Sequence, residues 1–276
     1  MMRAYDRLEV MGRLHRTMEA GQPVIGCGAS IGLVAKCAEA SGADLIIVYS
    51  TGKSRIMGMP TRIMGNANDL TLQMMAEIRD VVEHTPMIGG TDASDLLNFD
   101  HNRLLNRYIE AGFSGVINCP SLGAYGPEYR KKRDSVGHGF NRELALTSLA
   151  HEKGLFTMSY CYNAPDAVDM VRAGVDCVVA HAGATRGGMV GYPGKDYDKA
   201  CDLINEVLEA ARKESRDVIC LAHGGPFAVP EDTKVLYDRT TTSGYVGASS
   251  IERIPIEMAV TKVVKEFRTV PFHNKR

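Results

Sequence analysis

Eight short apolar runs, at residues 24–27, 45–49, 87–89, 115–118, 155–160, 177–180, 218–222 and 245–247, constrain this 276-residue chain more than any other feature. Most are apolar throughout rather than alternating, which is how parallel strands read when both faces are covered. Between them apolar residues recur at steps of three and four, the period of helices. One such helix is predicted over 68–83, with Leu72, Met75, Ile78 and Val82 on one face and Asn68 or Asp69 as its cap. Another is predicted over 255–267, with Ile256, Val260, Val263 and Phe267 on one face and Pro255 in its first turn. The rest fall at about 31–41, 96–111, 142–153, 165–173, 198–213 and 230–237. Gly42, Gly112, Gly154 and Gly174 each stand between a helical pattern and the next strand, where a left-handed residue ends a helix.

Eight β–α units predict an α/β chain folded as a single closed (β/α)8 TIM-type barrel. One domain then covers 1–276, with the barrel over about 23–268 and a tail over 269–276. An extra helix at about 5–20, with Leu8, Met11, His15 and Met18 on one face, would cover the barrel floor or a partner subunit. A doubly wound open sheet is the competitor. Its one supporting fragment, Gly26-Cys27-Gly28-Ala29-Ser30-Ile31-Gly32, has its last glycine one step late, and Tyr49-Ser50 stand where an acidic residue is needed. Gly52-Lys53-Ser54 ends like a phosphate-gripping P-loop, but Ile47 occupies the position of that motif's first glycine.

Composition narrows the function. A formal net charge of −1 gives no general attraction to nucleic acid or to an anionic membrane. No apolar run approaches the roughly 18 residues of a transmembrane helix. The charged N-terminus lacks the apolar stretch of a secretory signal. Seven cysteines without a C-x-x-C pair read as reduced thiols, so a cytoplasmic location is expected.

In a barrel, chemistry gathers at the C-terminal ends of the strands. Those ends supply the small or polar residues Gly28, Ser30, Ser50 and Lys53, and further on Gly224-Gly225 and Gly247-Ala248-Ser249. The last two groups expose backbone N–H with little bulk, as in the usual barrel phosphate site, and are expected to hold phosphate or carboxylate. Tight turns are the plain alternative. His181, at a strand end beside a glycine-rich loop, suits proton transfer near neutral pH, and His223 has a similar position. Asp92 is placed to accept a proton or bind a divalent cation, with a helix N-cap as its rival role. Lys53 and Arg55 are candidates to meet an acidic substrate, and Cys161 is a nucleophile candidate with no activating neighbour in sequence. Two long connections, 51–67 and 119–141, read as lids or as subunit contacts; the second carries Arg130-Lys131-Lys132-Arg133, which could close over an anionic substrate or form a solvated surface.

The segments Gly28–Gly32, Gly89-Gly90-Thr91-Asp92, His181–Gly188, His223-Gly224-Gly225-Pro226 and Gly247–Arg253 together resemble the phosphoenolpyruvate hydrolase-like TIM-barrel family, over nearly the whole chain. More distantly the first two units resemble the phosphoenolpyruvate mutase and isocitrate lyase superfamily, whose barrels act on small 2-oxo acids with magnesium. The resemblance implies a barrel, a homo-oligomer, a small anionic metabolite as ligand, and Mg2+ with Asp92 as its ligand. Two departures stand beside it. Of the superfamily's grouped acids only Asp92 is in place, and Lys131-Lys132-Arg133-Asp134 stands where the lyase loop carries its catalytic cysteine. The expected function is an enzyme of hydrolase or lyase type on a phosphorylated or 2-oxo/enol acid. The alternative is a non-catalytic barrel that binds a metabolite and reports it to a partner.

Overall fold

The computed structural model describes residues 4–194 and 196–272. Eight parallel strands close on themselves in sequence order. They are β1 (Val24–Gly28), β2 (Leu45–Val48), β3 (Met87–Thr91), β4 (Gly115–Asn118), β5 (Phe156–Cys161), β6 (Cys177–His181), β7 (Ile219–His223) and β8 (Gly244–Gly247). β8 pairs with β1, with Val24 opposite Gly244 and Cys27 opposite Gly247, and this seam completes the barrel.

Among the described residues eleven α-helices accompany them: α1 (Arg7–Glu19), α2 (Gly32–Ala40), α3 (Thr51–Ile56), α4 (Ala67–Ile78), α5 (His101–Ala111), α6 (Pro127–Asp134), α7 (Asn141–Glu152), α8 (Ala164–Arg172), α9 (Tyr197–Glu214), α10 (Asp232–Arg239) and α11 (Ile254–Thr269). Every strand and every long helix stands near its expected place. The boundaries moved where capping chemistry decided them. Asn66, rather than Asn68 or Asp69, caps α4 by accepting from the Asp69 amide. Asp100 caps α5, so that helix starts well after position 96. Gly112, at φ 97°, closes α5 in the left-handed conformation. The two stretches read as long loops each contain a helix, α3 and α6.

The barrel interior is filled by inward side chains including Leu45, Ile47, Ile88, Ile117, Phe156, Met158 and Leu221. Burying each stabilises the fold by roughly 1.5–3 kcal/mol. Two outer clusters pack helices against the strands, one under α2, α4 and α5, the other under α8 and α9. The floor is closed by α1, as anticipated, with Met11 and Met18 of the expected face packed against the core. Val10 and Leu14 are buried in the barrel core, whereas Leu8 is 71% exposed. A capping box between Asp6 and Glu9 starts α1, and Arg7 anchors it to Asp176 at 2.7 Å.

The last helix departs from expectation. Of α11 only Ile254 is buried, and the face of Ile256, Val260, Val263 and Phe267 lies open, with Phe267 76% exposed. Beside its root, a groove of about 530 Å3 runs over Cys27, Val34, Ala38 and Ile256. Of the tail assigned to 269–276, residues 273–276 lie outside the described residues.

Candidate active site at the C-terminal mouth

The C-terminal ends of the strands surround a cavity of about 190 Å3. Its walls are largely aromatic: Tyr49 after β2, Tyr160 and Tyr162 at the end of β5, His181 ending β6 and His223 ending β7. The rings form one cluster. Tyr162 stacks on His181 at 4.5 Å, His181 lies 4.7 Å from His223, and Tyr160 sits 5.1 and 5.0 Å from the two imidazoles. The Tyr160 hydroxyl is buried and makes no hydrogen bond.

The backbone assigns each imidazole its tautomer. His223 Nδ1 lies 2.7 Å from the Val246 carbonyl, which can only accept, so Nδ1 carries the proton and Nε2 is a lone pair. His181 Nδ1 receives the Gly183 amide at 3.1 Å, so in the neutral ring Nε2 carries the proton. Among the described residues neither Nε2 is engaged in a hydrogen bond. Both rings are held neutral. Burial brings His223 down to about 4, and burial, then the neighbouring His223, holds His181 well below the ordinary histidine value.

The cation of the mouth is Arg55, on α3. It is 3% exposed, its Nε donates to Glu252 Oε2 at 2.9 Å, and one terminal nitrogen donates to Thr51 at 3.2 Å. Glu252 also accepts from the Ser30 amide at 2.6 Å and from the Ser30 hydroxyl. The helix is short because Gly58 (φ 72°) and Pro60 follow it. Gly52 is required here, since a Cβ would stand 2.3 Å from the Ser30 hydroxyl.

The predicted residues divide by where the fold places them. His181, His223, Ala248 and Ser249 line the mouth together. Ser30 acts through Glu252 rather than on the cavity. Gly28, Ser50, Lys53 and Gly247 do not line it. Gly224 and Gly225 turn away from it: the Gly225 amide is spent on the Gly183 carbonyl at 2.8 Å, and a Cβ on Gly224 would strike that same carbonyl at 2.1 Å. Cys161 is fully buried and its thiol is pushed far up by burial, which rules out a thiolate there.

Asp92 faces an adjoining cavity of about 110 Å3, which shares the walls Ile63, Pro120, Ser121 and Tyr125 with the first and is also lined by Ser94, Arg133 and Glu143. Its Oδ1 accepts from the Ser94 amide and hydroxyl, at 2.9 and 2.7 Å, and it caps no helix. Glu143 was not foreseen. It accepts from Asn118 at 2.9 Å, Ser121 at 2.8 Å and the Leu122 amide at 2.6 Å, yet burial outweighs these donors and pushes it up to about 7. Among the described residues no three His, Cys, Asp or Glu side chains gather to hold a metal ion. Mg2+ is held through one or two carboxylates with waters and substrate completing its shell, so Asp92, with Glu143 in the same cavity, is the residue that would hold it.

The tyrosines were also missed, although their signal was present: residues 49, 160 and 162 sit at or just past strand ends, where side chains face the mouth. The pairing of Arg55 with Glu252 had no local signal, because the two are 197 residues apart.

Known proteins agree with this architecture. The tomato (Solanum lycopersicum) ToMV susceptible protein tm-1(GCR26) and ToMV resistance protein Tm-1(GCR237) are each 33% identical over 270 residues, 96% of this chain. The chain spans 36% of the length of these relatives. Among solved structures, phosphoenolpyruvate phosphomutase from Streptomyces platensis subsp. rosaceus superposes with a TM-score of 0.61 at 14% identity, over 94% of this chain and 86% of that one. A phosphonopyruvate hydrolase in complex with oxalate and Mg2+ gives 0.56 at 18%, over 94% and 87%. At such identities these two share the fold. The model of the phosphoenolpyruvate hydrolase-like family matches residues 9–270, and the chain belongs to that family.

Proposed function

We propose that this chain is a cytoplasmic enzyme acting on a small 2-oxo or enol acid, with His223 as base and His181 as hydrogen-bond donor. The observation that carries the reading is the pair of neutral imidazoles in opposite tautomers, 4.7 Å apart, in a cavity that also holds a buried arginine. The substrate carboxylate would meet Arg55. The His223 Nε2 lone pair would take a proton from the carbon beside the oxo group. The bonding electrons would move onto the oxo oxygen, and His181 Nε2–H would donate to the oxygen as it gains charge. Such an enolate is the species that carbon–carbon cleavage in an oxo acid forms or consumes. The loops after β2 and β4 supply Thr61, Ile63, Pro120 and Tyr125 to the rim and would exclude water. No helix among the described residues is long and apolar enough to cross a membrane.

The test is solvent deuterium incorporation at the carbon next to the oxo group of pyruvate and phenylpyruvate, followed by proton NMR. Incorporation above the buffer rate, lost in His223→Gln and reduced in His181→Gln, is expected. Rates equal to buffer for both acids would overturn the enzymatic reading.

A second reading is a barrel that binds the same class of acid and reports it to a partner without turnover. It is favoured by the tomato relatives, in which the matched part is about a third of a longer chain. We also propose that the chain self-associates through the open apolar face of α11.

A further inference from the structure

Resting on the mouth as the binding site, we propose that its ligand is a planar, unphosphorylated monocarboxylic acid with an aromatic or conjugated body and a hydroxyl or enol oxygen. Four observations converge on that class.

The first is size. The cavity holds about 190 Å3. Apolar cavities of about 150 Å3 take up benzene, whereas drug-sized pockets begin near 300 Å3. A ring with a carboxylate fits the space.

The second is shape. Six rings line the cavity, and Tyr162 and His181, stacked on each other at 4.5 Å with 27° between their planes, form one wall of it. Flat walls of this kind suit a flat ligand, through stacked and edge contacts.

The third is charge. Arg55 brings one positive charge and Glu252 answers it at 2.9 Å. The imidazoles add none while neutral. A phosphate monoester carries about two negative charges at neutral pH, and phosphoenolpyruvate adds a carboxylate to that. Of the two loops expected to hold a phosphate, Gly224 and Gly225 stand elsewhere, with the Gly225 amide already bonded to Gly183, while Ala248 and Ser249 of the other line the mouth. Among the described residues Arg55 is the one cation lining the mouth and Glu252 offsets it, so a monocarboxylate meets less uncompensated charge there than a phosphate ester; Arg133 stands in the adjoining cavity.

The fourth is the Tyr160 hydroxyl. Tyr160 is 3% exposed and its hydroxyl makes no hydrogen bond, the Tyr49 hydroxyl being close enough only to act on it electrostatically. A buried hydroxyl left unpaired is costly, and a ligand oxygen reaching it would remove that cost. Its ring lies 5.1 and 5.0 Å from the two imidazoles, so the ligand oxygen would sit at the functional end of the cavity.

Calorimetric titration of the full chain with 4-hydroxybenzoate, benzoate, phosphoenolpyruvate and orthophosphate tests this. 4-Hydroxybenzoate is expected to bind at least tenfold more tightly than either phosphorylated probe, with benzoate between them. Tyr160→Phe removes one oxygen from the wall. It should weaken 4-hydroxybenzoate about tenfold while leaving benzoate binding unchanged and raising the melting temperature, since it removes the unpaired hydroxyl. Tighter binding of phosphoenolpyruvate or orthophosphate, no binding of either arene acid, or an equal effect of Tyr160→Phe on both arene acids would each overturn the proposal. Its failure is separable from that of the enzymatic reading. Phosphoenolpyruvate binding best, with His223-dependent deuterium exchange retained, removes only the ligand class. Arene acids binding with no exchange in any oxo acid removes only the enzyme.

Discussion

Arg55 and Glu252 form an ion pair at 2.9 Å that is almost wholly shielded from solvent, with side-chain exposures of 2% and 0%. It joins the helix after β2 to the turn after β8, and through Ser30 it also holds the loop after β1. Breaking one side of such a pair leaves an uncompensated buried charge. Arg55→Met or Glu252→Met alone is expected to cost about 3–5 kcal/mol. The double substitution should cost less than the sum of the two. Urea denaturation of the three variants checks this, and strict additivity would show that the two residues do not act as a pair.

His223 is held down to about 4 by burial, so it is unprotonated throughout the range in which an ordinary histidine titrates. The expected pH profile of kcat/KM for proton exchange is therefore flat on either side of the ordinary value of 6.5, with its acid limb descending only toward about 4. An inflection near 6.5 would remove His223 as the base.

The same two shifts bear on stability with opposite signs. Between about 4 and 6.5 the unfolded chain binds a proton at His223 that the folded chain does not, so this residue makes stability rise with pH. Between 4.5 and about 7 the folded chain holds a proton on Glu143 that the unfolded chain has released, so this residue makes stability fall as pH rises. Urea midpoints for Glu143→Gln at the two ends of the Glu143 window should show a more positive slope with pH than wild type. An unchanged slope would mean that Glu143 is ionised in the fold.

The open stripe of α11 predicts assembly. Val263→Glu with Phe267→Glu places two charges on residues 46% and 76% exposed, so the fold of the single chain is untouched. Sedimentation velocity should find wild type larger than a monomer and the double variant monomeric. A wild type that sediments as a monomer would contradict the prediction.

Legibility followed the range of the interactions. The eight strands were readable because each is a local apolar run between glycines. His181 and His223 were readable because a barrel places strand ends in one ring. What escaped depends on separation. Glu252 finds Arg55 and Ser30 across the barrel seam, and Glu143 finds Asn118 and Ser121 across a loop. Gly224 and Gly225, read as phosphate-like, serve a backbone crossing against residues 182–183, a need that also calls for glycine. In α11 the period was right but did not say what the face would meet. An apolar stripe reads the same whether it lies against its own barrel or stands open.

The β1–β8 seam carries a consequence for synthesis. The strand that emerges first finds its second neighbour only when residues 244–247 have been made, more than two hundred positions later. Until then β1 and β7 present unpaired edges, and unpaired edges recruit other chains. The Ser30–Glu252–Arg55 contacts lie just beyond that seam, so the anion-facing arginine acquires its partner only at barrel closure. A nascent chain stopped short of β8 would thus be both sticky and without a finished mouth, and the completion of the site coincides with the end of the aggregation hazard.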